Sequence, residues 1–310
     1  MNQCKQSFVN FKNLISVSLI LVAVVVNTFS ASAQSISPGQ SLGNELTIRS
    51  LPNLRDIGGY KTIHGDIVLK GKTYRSSSLN PLSAEDIEKL RTIGLKNDYD
   101  LRSPFEVEKR PDVLVTDTRY TEFDVLASAK NIVLPHTLIA GLLKNPAEES
   151  AKLGGAQGAE QVFINLYRDF VSLPSANEAY RNLFLSMSEA SATPNIFHCT
   201  NGKDRTGWAA AALLTLLGVP KDKVYEDFLL SNDYLLPQHE KEMDFFESQG
   251  GDRGILVAFF GVKSAYLDAA FGEMHKRYGS IEEYFAKGLN INTEQQNRIK
   301  EMYLSYKLVD

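Results

Sequence analysis

The sequence predicts an α/β domain, and three observations carry that prediction. Short β-rich runs alternate with longer segments of helical periodicity along most of the chain. A buried strand, PNIFHC at 194–199, leads almost at once into the strongly apolar helix RTGWAAAALLTLLGV at 205–219. The composition is that of a globular protein: 310 residues, 43% hydrophobic and 23% charged, with no internal repeat.

The first 33 residues follow a separate logic. Lys5 and Lys12 precede the apolar run LISVSLILVAVVV at 14–26, and Ala31 and Ala33 stand at small-residue cleavage positions, the pattern of a secretory signal peptide cut after Ala33. An uncleaved anchor needs about 20 apolar residues, and this run is interrupted at Asn27 and Thr28. The destination expected is secreted or periplasmic, with no stable membrane insertion after cleavage. Cleavage removes two lysines and no acid, moving the formal charge from −4 to −6. Such a chain offers no basic face to nucleic acid and no polybasic tether to a membrane. An anionic substrate therefore needs a local positive site.

Residues 34–45, QSISPGQSLGNE, read as a flexible leader, and one domain is expected over 46–306. Gly-Gly and His-Gly punctuate residues 51–76, which predicts strand, hairpin, strand. Ser83 followed by Asp86 predicts a capped helix, with Gly94 as its stop. The run LKNDYDLRSPFE at 95–106 reads as a buried strand ending in a polar loop. An insertion is expected at about 120–160, holding short helices and a mobile Gly-rich loop around GGAQG. Its apolar run 131–143 suits either a lid or the core. Helices follow at 161–173 and about 175–190, then strand 194–199 and helix 205–219. Further helices are expected at about 221–233, 237–247, 262–278, 280–287 and 293–306, with GGDRG at 250–254 as a loop.

The chemistry concentrates in HCTNGKDRTG, residues 198–207. A tight loop between a strand and a helix N-terminus aims several backbone N–H groups at one point, with the positive end of the helix dipole behind them. The same field that holds an oxyanion holds a thiolate. Cys199 is the one cysteine left after signal cleavage, so no disulfide can form within the mature chain. A cysteine taken alone is usually a small buried hydrophobe, but here helix and cation neighbours lower its pKa and make it a nucleophile. Arg205 can grip two phosphate oxygens with its planar fork. Thr206 can hydrogen-bond the sulfur, while Thr200, Asn201, Gly202 and Lys203 supply the oxyanion-binding loop.

His198, Cys199, Arg205 and Thr206 in the spacing H-C-x5-R-T resemble the signature of cysteine-dependent phosphatases. The longer HCTNGKDRTG, with NLRDIGGY at 53–60 and DLRSPFE at 100–106, is similar to the bacterial tyrosine/serine phosphatase branch, over most of residues 46–306. The resemblance implies a protein tyrosine phosphatase-like fold: a central, mostly parallel sheet flanked by helices, with a helical lid-like insertion. It implies a two-step phosphomonoester hydrolase needing no cofactor and no metal. The substrate implied is a phosphorylated protein, chiefly at tyrosine, with serine/threonine or phosphoinositide activity beside it.

A leaving oxygen needs a proton donor. Asp100 is favoured by its match to the family's DLR aspartate, against a strand-end cap; Asp204 is either a catalytic carboxylate or a brace for loop amides. Lys203 resembles a loop lysine of family members that take phosphoinositides, against a solvated surface charge. Arg55 and Asp56 are candidate braces near the substrate loop, or a surface ion pair. His64, His136, His239 and His275 share no metal-ligand spacing, and Asp204 after Gly202-Lys203 breaks the nucleotide-binding G-x4-G-K-[ST] pattern. Rival functions are an inositol-polyphosphate or phosphoinositide phosphatase, a silent phosphate-binding module, and sulfur transfer of the rhodanese type.

Overall fold

Short strands and amphipathic helices do alternate, and the alternation builds a twisted sheet with helices packed on its faces. The computed structural model describes residues 48–129 and 135–305, all within one unit running from Leu42 to Asp310. The expected signal peptide, its cleavage site and the leader 34–45 lie outside the described residues.

Strand β1 (Arg55–Asp56) opens the domain, β2 (Ile67–Val68) follows a hairpin closed by a Lys61–Ile67 bridge, and β3 (Thr73–Ser76) enters the core. Helix α1 (Ala84–Ile93) is capped as its sequence requires: the Ser83 hydroxyl accepts the Asp86 N–H, and Gly94 closes the last turn. Strand β4 (Asn97–Asp100) is followed by a helix where only a polar loop was expected, α2 (Pro104–Lys109). Its signal is S-P-F-E: proline at the first helical position, and Glu106 turning back to accept the Ser103 N–H.

Beyond β5 (Arg119–Glu122), the helices α3 (Pro135–Leu142) and α4 (Pro146–Leu153) lead into α5 (Gly155–Ser172). The mobile glycine loop expected around GGAQG is therefore helix. Gly158 accepts the tight α4–α5 corner because a Cβ there would meet the Leu153 carbonyl at 1.7 Å, and Asp252 from a distant loop accepts the Ala156 N–H to cap the new helix. Of the apolar run 131–143, Leu142 is buried in the core while Ile139 faces a cleft, and 130–134 lie outside the described residues.

Helix α6 (Pro174–Met187) precedes β6 (Asn195–His198), which feeds α7 (Arg205–Leu216). Helices α8 (Lys221–Leu229), α9 (Ser231–Leu235) and α10 (Glu240–Ser248) follow. Next comes α11 (Arg253–Phe260), a helix the sequence reading left unassigned; Asp252 caps it by accepting the Gly254 N–H. Helices α12 (Ser264–Tyr278), α13 (Ile281–Glu283) and α14 (Thr293–Tyr303) complete the set, and β7 (Leu304–Ser305) pairs with β2.

The main sheet has the order β1-β3-β6-β4-β5, antiparallel between β1 and β3 and parallel elsewhere. Strand β6 is central, with Ser76 of β3 and Asp100 of β4 in register on either side of His198. Everything that leaves the carboxyl ends of these strands converges on one edge, the place where open α/β sheets bind ligands. Helix α7 runs back from that edge with almost every side chain buried, its Ala209–Ala212 run allowing close packing.

Candidate active site

Cys199 is the first residue after β6, and its side chain ends at the N-terminus of α7 with 2% exposure. Burial opposes ionisation of the thiol. The Arg205 guanidinium, the Thr206 hydroxyl and the Thr206 backbone N–H more than offset that, so the pKa falls below its ordinary value. The Thr206 hydroxyl is fully buried and has no other hydrogen-bond partner among the described residues. Gly202 turns the loop at φ +66°, where a Cβ would stand 2.1 Å from the Ser76 carbonyl oxygen.

Arg205 points back across the loop and is gripped by Glu106, a residue the sequence reading did not single out. Nη1 and Nη2 each donate to one Glu106 carboxylate oxygen at 2.7 Å, and Thr200 donates its hydroxyl to the same group at 2.6 Å. Nη1 also reaches the Leu101 carbonyl at 3.3 Å. Nη2 also reaches the Thr200 hydroxyl oxygen at 3.4 Å, and Nε, which donates to nothing among the described residues, is left for an oxyanion. Burial would raise the Glu106 pKa, but Arg205 and Thr200 hold it far below the usual carboxylate range. The capping-box pattern after DLR was a visible signal for a helix start; that its carboxylate also reaches Arg205, 99 residues away, was not.

The loop is held from behind by groups the sequence reading also missed. Asn53 donates its side-chain amide to the Asn201 carbonyl at 2.9 Å, and Arg75 donates to the Gly202 carbonyl at 2.8 Å. Arg75 pairs in turn with Asp227 at 2.6 Å, and Arg55 with the same carboxylate at 2.9 Å. Arg55 is thus buried and reaches the loop only through other residues, Asp227 with Arg75 on one side and Asn53, whose amide oxygen accepts from it, on the other. Asp56 accepts the Gly58 and Gly71 N–H groups and clamps the hairpin. Neither lines the cleft nor forms a surface ion pair; both are buried, Arg55 behind the loop and Asp56 in the hairpin.

Asp100 does not line the cleft either. Its carboxylate is 0% exposed and accepts three side-chain contacts from Arg102, at 2.7 to 2.9 Å, and the Tyr120 hydroxyl at 2.7 Å. Burial would raise its pKa, yet His198 and Arg102 pull it below the ordinary value. It braces the turn after β4. His198 lies beside it with Nδ1 facing the Cys199 carbonyl at 3.3 Å and Nε2 facing Asp98 and Asp112 at 3.1 and 3.2 Å. Burial disfavours charge on this ring, but the carboxylates outweigh it and hold the imidazole pKa well up. The ligand-capable atoms of His198, Asp98 and Asp112 lie within 4.8 Å of one another, a grouping with metal-binding chemistry that histidine spacing alone did not reveal.

Cys199, Thr200, Asn201, Lys203, Asp204, Arg205 and Glu106 line one cleft of about 90 Å³. Its walls are apolar: Leu126, Ile139, Leu166, Phe170 and Phe259. Lys203 is 1% exposed, not a solvated surface charge; its ammonium lies 4.5 Å from the Phe163 ring centre and 2.9 Å from the Asp204 carboxylate. Asp204 also accepts the Tyr167 hydroxyl at 3.1 Å. A further carboxyl, Asp124, follows β5 and accepts the Leu126 N–H at 2.9 Å. Burial raises its pKa above the ordinary value, against the field of Arg205.

Residues 46–305 match the sequence profile of a family described as the tyrosine phosphatase family. The chain is similar to a candidate tyrosine-protein phosphatase of Cupriavidus necator, 29% identical over 81% of this chain and 86% of the relative. It is also 29% identical to the triple specificity protein phosphatase PtpB of Mycobacterium tuberculosis, over 84% of this chain and 100% of the relative. A tyrosine-protein phosphatase of Nostoc commune is 28% identical over 73% of this chain and 72% of the relative.

Proposed function

The chain belongs to the tyrosine phosphatase family, and on that footing we propose that it is a protein-tyrosine phosphatase, hydrolysing phosphomonoesters through a phosphocysteine. One observation carries the proposal: a thiol with a lowered pKa shares its loop with an arginine that lines the same cleft. The Cys199 thiolate attacks phosphorus in line while loop amides and the Arg205 Nε–H hold the non-bridging oxygens. The P–O bond breaks, and Asp204, the aspartate lining the cleft, gives its proton to the leaving oxygen. Water then attacks the phosphocysteine, Asp204 takes back a proton, and the S–P bond breaks to free phosphate and the thiolate. Thr206 stabilises the departing sulfur.

Asp124 is the second reading for the acid. Its raised pKa favours the protonated form a donor needs, but it does not line the cleft with Cys199.

The apolar walls support a preference for an aromatic ring, hence phosphotyrosine over phosphoserine. Lys203, committed to Asp204 and Phe163, supports phosphoinositide recognition less than its position in the loop implied. The relative named as triple specificity makes breadth the point to measure. Phosphotyrosine, phosphoserine and phosphoinositide substrates are offered to the purified protein in EDTA, beside Cys199→Ser. The expected result is turnover ranked with phosphotyrosine first and lost in the variant; binding of inorganic phosphate with no turnover would replace the enzyme by a binding module. Residues 1–33 are proposed to direct secretion, checked by the N-terminal residue of exported protein, expected to be Gln34.

A further inference from the structure

Asp204 does not stand alone in its cleft. The Tyr167 hydroxyl, on α5, donates to its carboxylate at 3.1 Å and leans on the Lys203 carbonyl at 3.4 Å. Tyr167 is fully buried, its ring packed on Phe170 at 5.1 Å, Tyr266 at 5.6 Å and Phe228 at 5.9 Å between centroids, so its oxygen is held beside Asp204, the nearer of its two acceptors. Its neighbours on α5, Leu166 and Phe170, form the cleft wall. One helix thus sets both the surface a substrate ring meets and the place where the carboxylate is held.

We infer that Tyr167 is a positioning residue for Asp204, aiming the carboxylate at the leaving oxygen and stabilising the charge it carries after the proton has left. This rests on the reading of Asp204 as the general acid. Tyr167 and Lys203 both donate to this carboxylate, which is the species the first step leaves behind and the second step needs as base. Burial and the Asp204 charge keep the Tyr167 phenol well above its usual pKa, so it remains a donor at every working pH. The other charged or titratable groups within this field are Cys199, Lys203 and Arg205 from the loop and helix α7, Arg75 from β3, Tyr180 from α6 and Tyr266 from α12.

The test is the basic limb of the kcat/KM profile against pH, measured on a phosphoserine peptide for the wild type, Tyr167→Phe, Asp204→Asn and Asp124→Asn. Tyr167→Phe keeps the packed ring, and a thermal melt verifies the fold. The expected result is that Asp204→Asn removes the limb and Tyr167→Phe moves it up by about half a unit or more, with kcat down about tenfold. A structural residue would lower the rate without moving the limb. If Asp204→Asn removes the limb and Tyr167→Phe leaves it in place, the positioning role is overturned while the acid stands. If the limb survives Asp204→Asn and disappears in Asp124→Asn, the acid itself is misassigned and the role of Tyr167 falls with it.

Discussion

The loop after β6 and the turn after β4 leave the same edge of the sheet side by side, with His198 and Asp100 in register. Both offer a carboxyl at a strand end or in the turn after it, Asp204 in one and Asp100 in the other. In the first, function is local: nucleophile, amide nest and arginine lie within seven residues. In the second, Asp100 is consumed by Arg102 and Tyr120, while Glu106 reaches out to the arginine of the neighbouring loop. A carboxylate's role is set by which partners fold reaches it first, and burial alone does not separate a reactive group from a brace.

The sharpest test of this contrast is the nucleophile. Cys199→Ser should lower turnover by about 10⁴-fold or more in a single-turnover assay while inorganic phosphate still competes for the cleft. Next comes the grip between the two loops. Glu106→Gln should cost about a hundredfold in kcat/KM, because the Arg205 edge loses its fixed direction, and about 3 kcal/mol in denaturant-measured stability from an uncompensated buried guanidinium. A Glu106→Gln enzyme with wild-type kinetics would break the proposed link between them.

Asp204→Asn should lower kcat about a hundredfold on a phosphoserine peptide and far less on an aryl phosphate whose leaving group needs little protonation. Asp100→Asn sharpens the comparison from the other side. It should cost about 2 kcal/mol of stability from the lost ion pair with Arg102, yet leave the leaving-group dependence of the folded enzyme unchanged. A selective loss on poor leaving groups would return Asp100 to the acid role.

The smallest effect concerns pH. His198 has a raised folded pKa, so its stabilising contribution is complete below the ordinary value of 6.5 and is lost as pH rises from there through the folded value. Melting temperature should therefore decline above about pH 6.5, and His198→Gln should flatten that slope. An unchanged slope would mean that another group supplies the pH dependence.

Much of the site was legible because its parts are adjacent in the chain. Strand, tight loop and helix at 194–219 follow one another in the chain, and Gly202 with Arg205 six residues after Cys199 marks the nest by spacing. The cap of α1 and the central strand were legible for the same reason, being local hydrogen bonds and local periodicity. The glycine-rich stretch at 154–158 was not: its helix depends on Asp252 arriving from about a hundred residues away to cap it. Helix α11 was missed because GILVAFF is equally apolar as strand or helix until Asp252 caps it.

By itself, then, the sequence determined the α/β class and the strand, loop and helix that bring Cys199 and Arg205 together, since each follows from neighbours in the chain. Only the tertiary structure decided that Glu106 orients Arg205, that Asp100 is a brace, that Arg55 acts through Asp227 and Arg75, and that Tyr167 reaches Asp204. The physical reason is common to all four. The charge and direction of a buried polar group are set by the partners that desolvation forces on it, and those partners come from segments that only the folded sheet brings together.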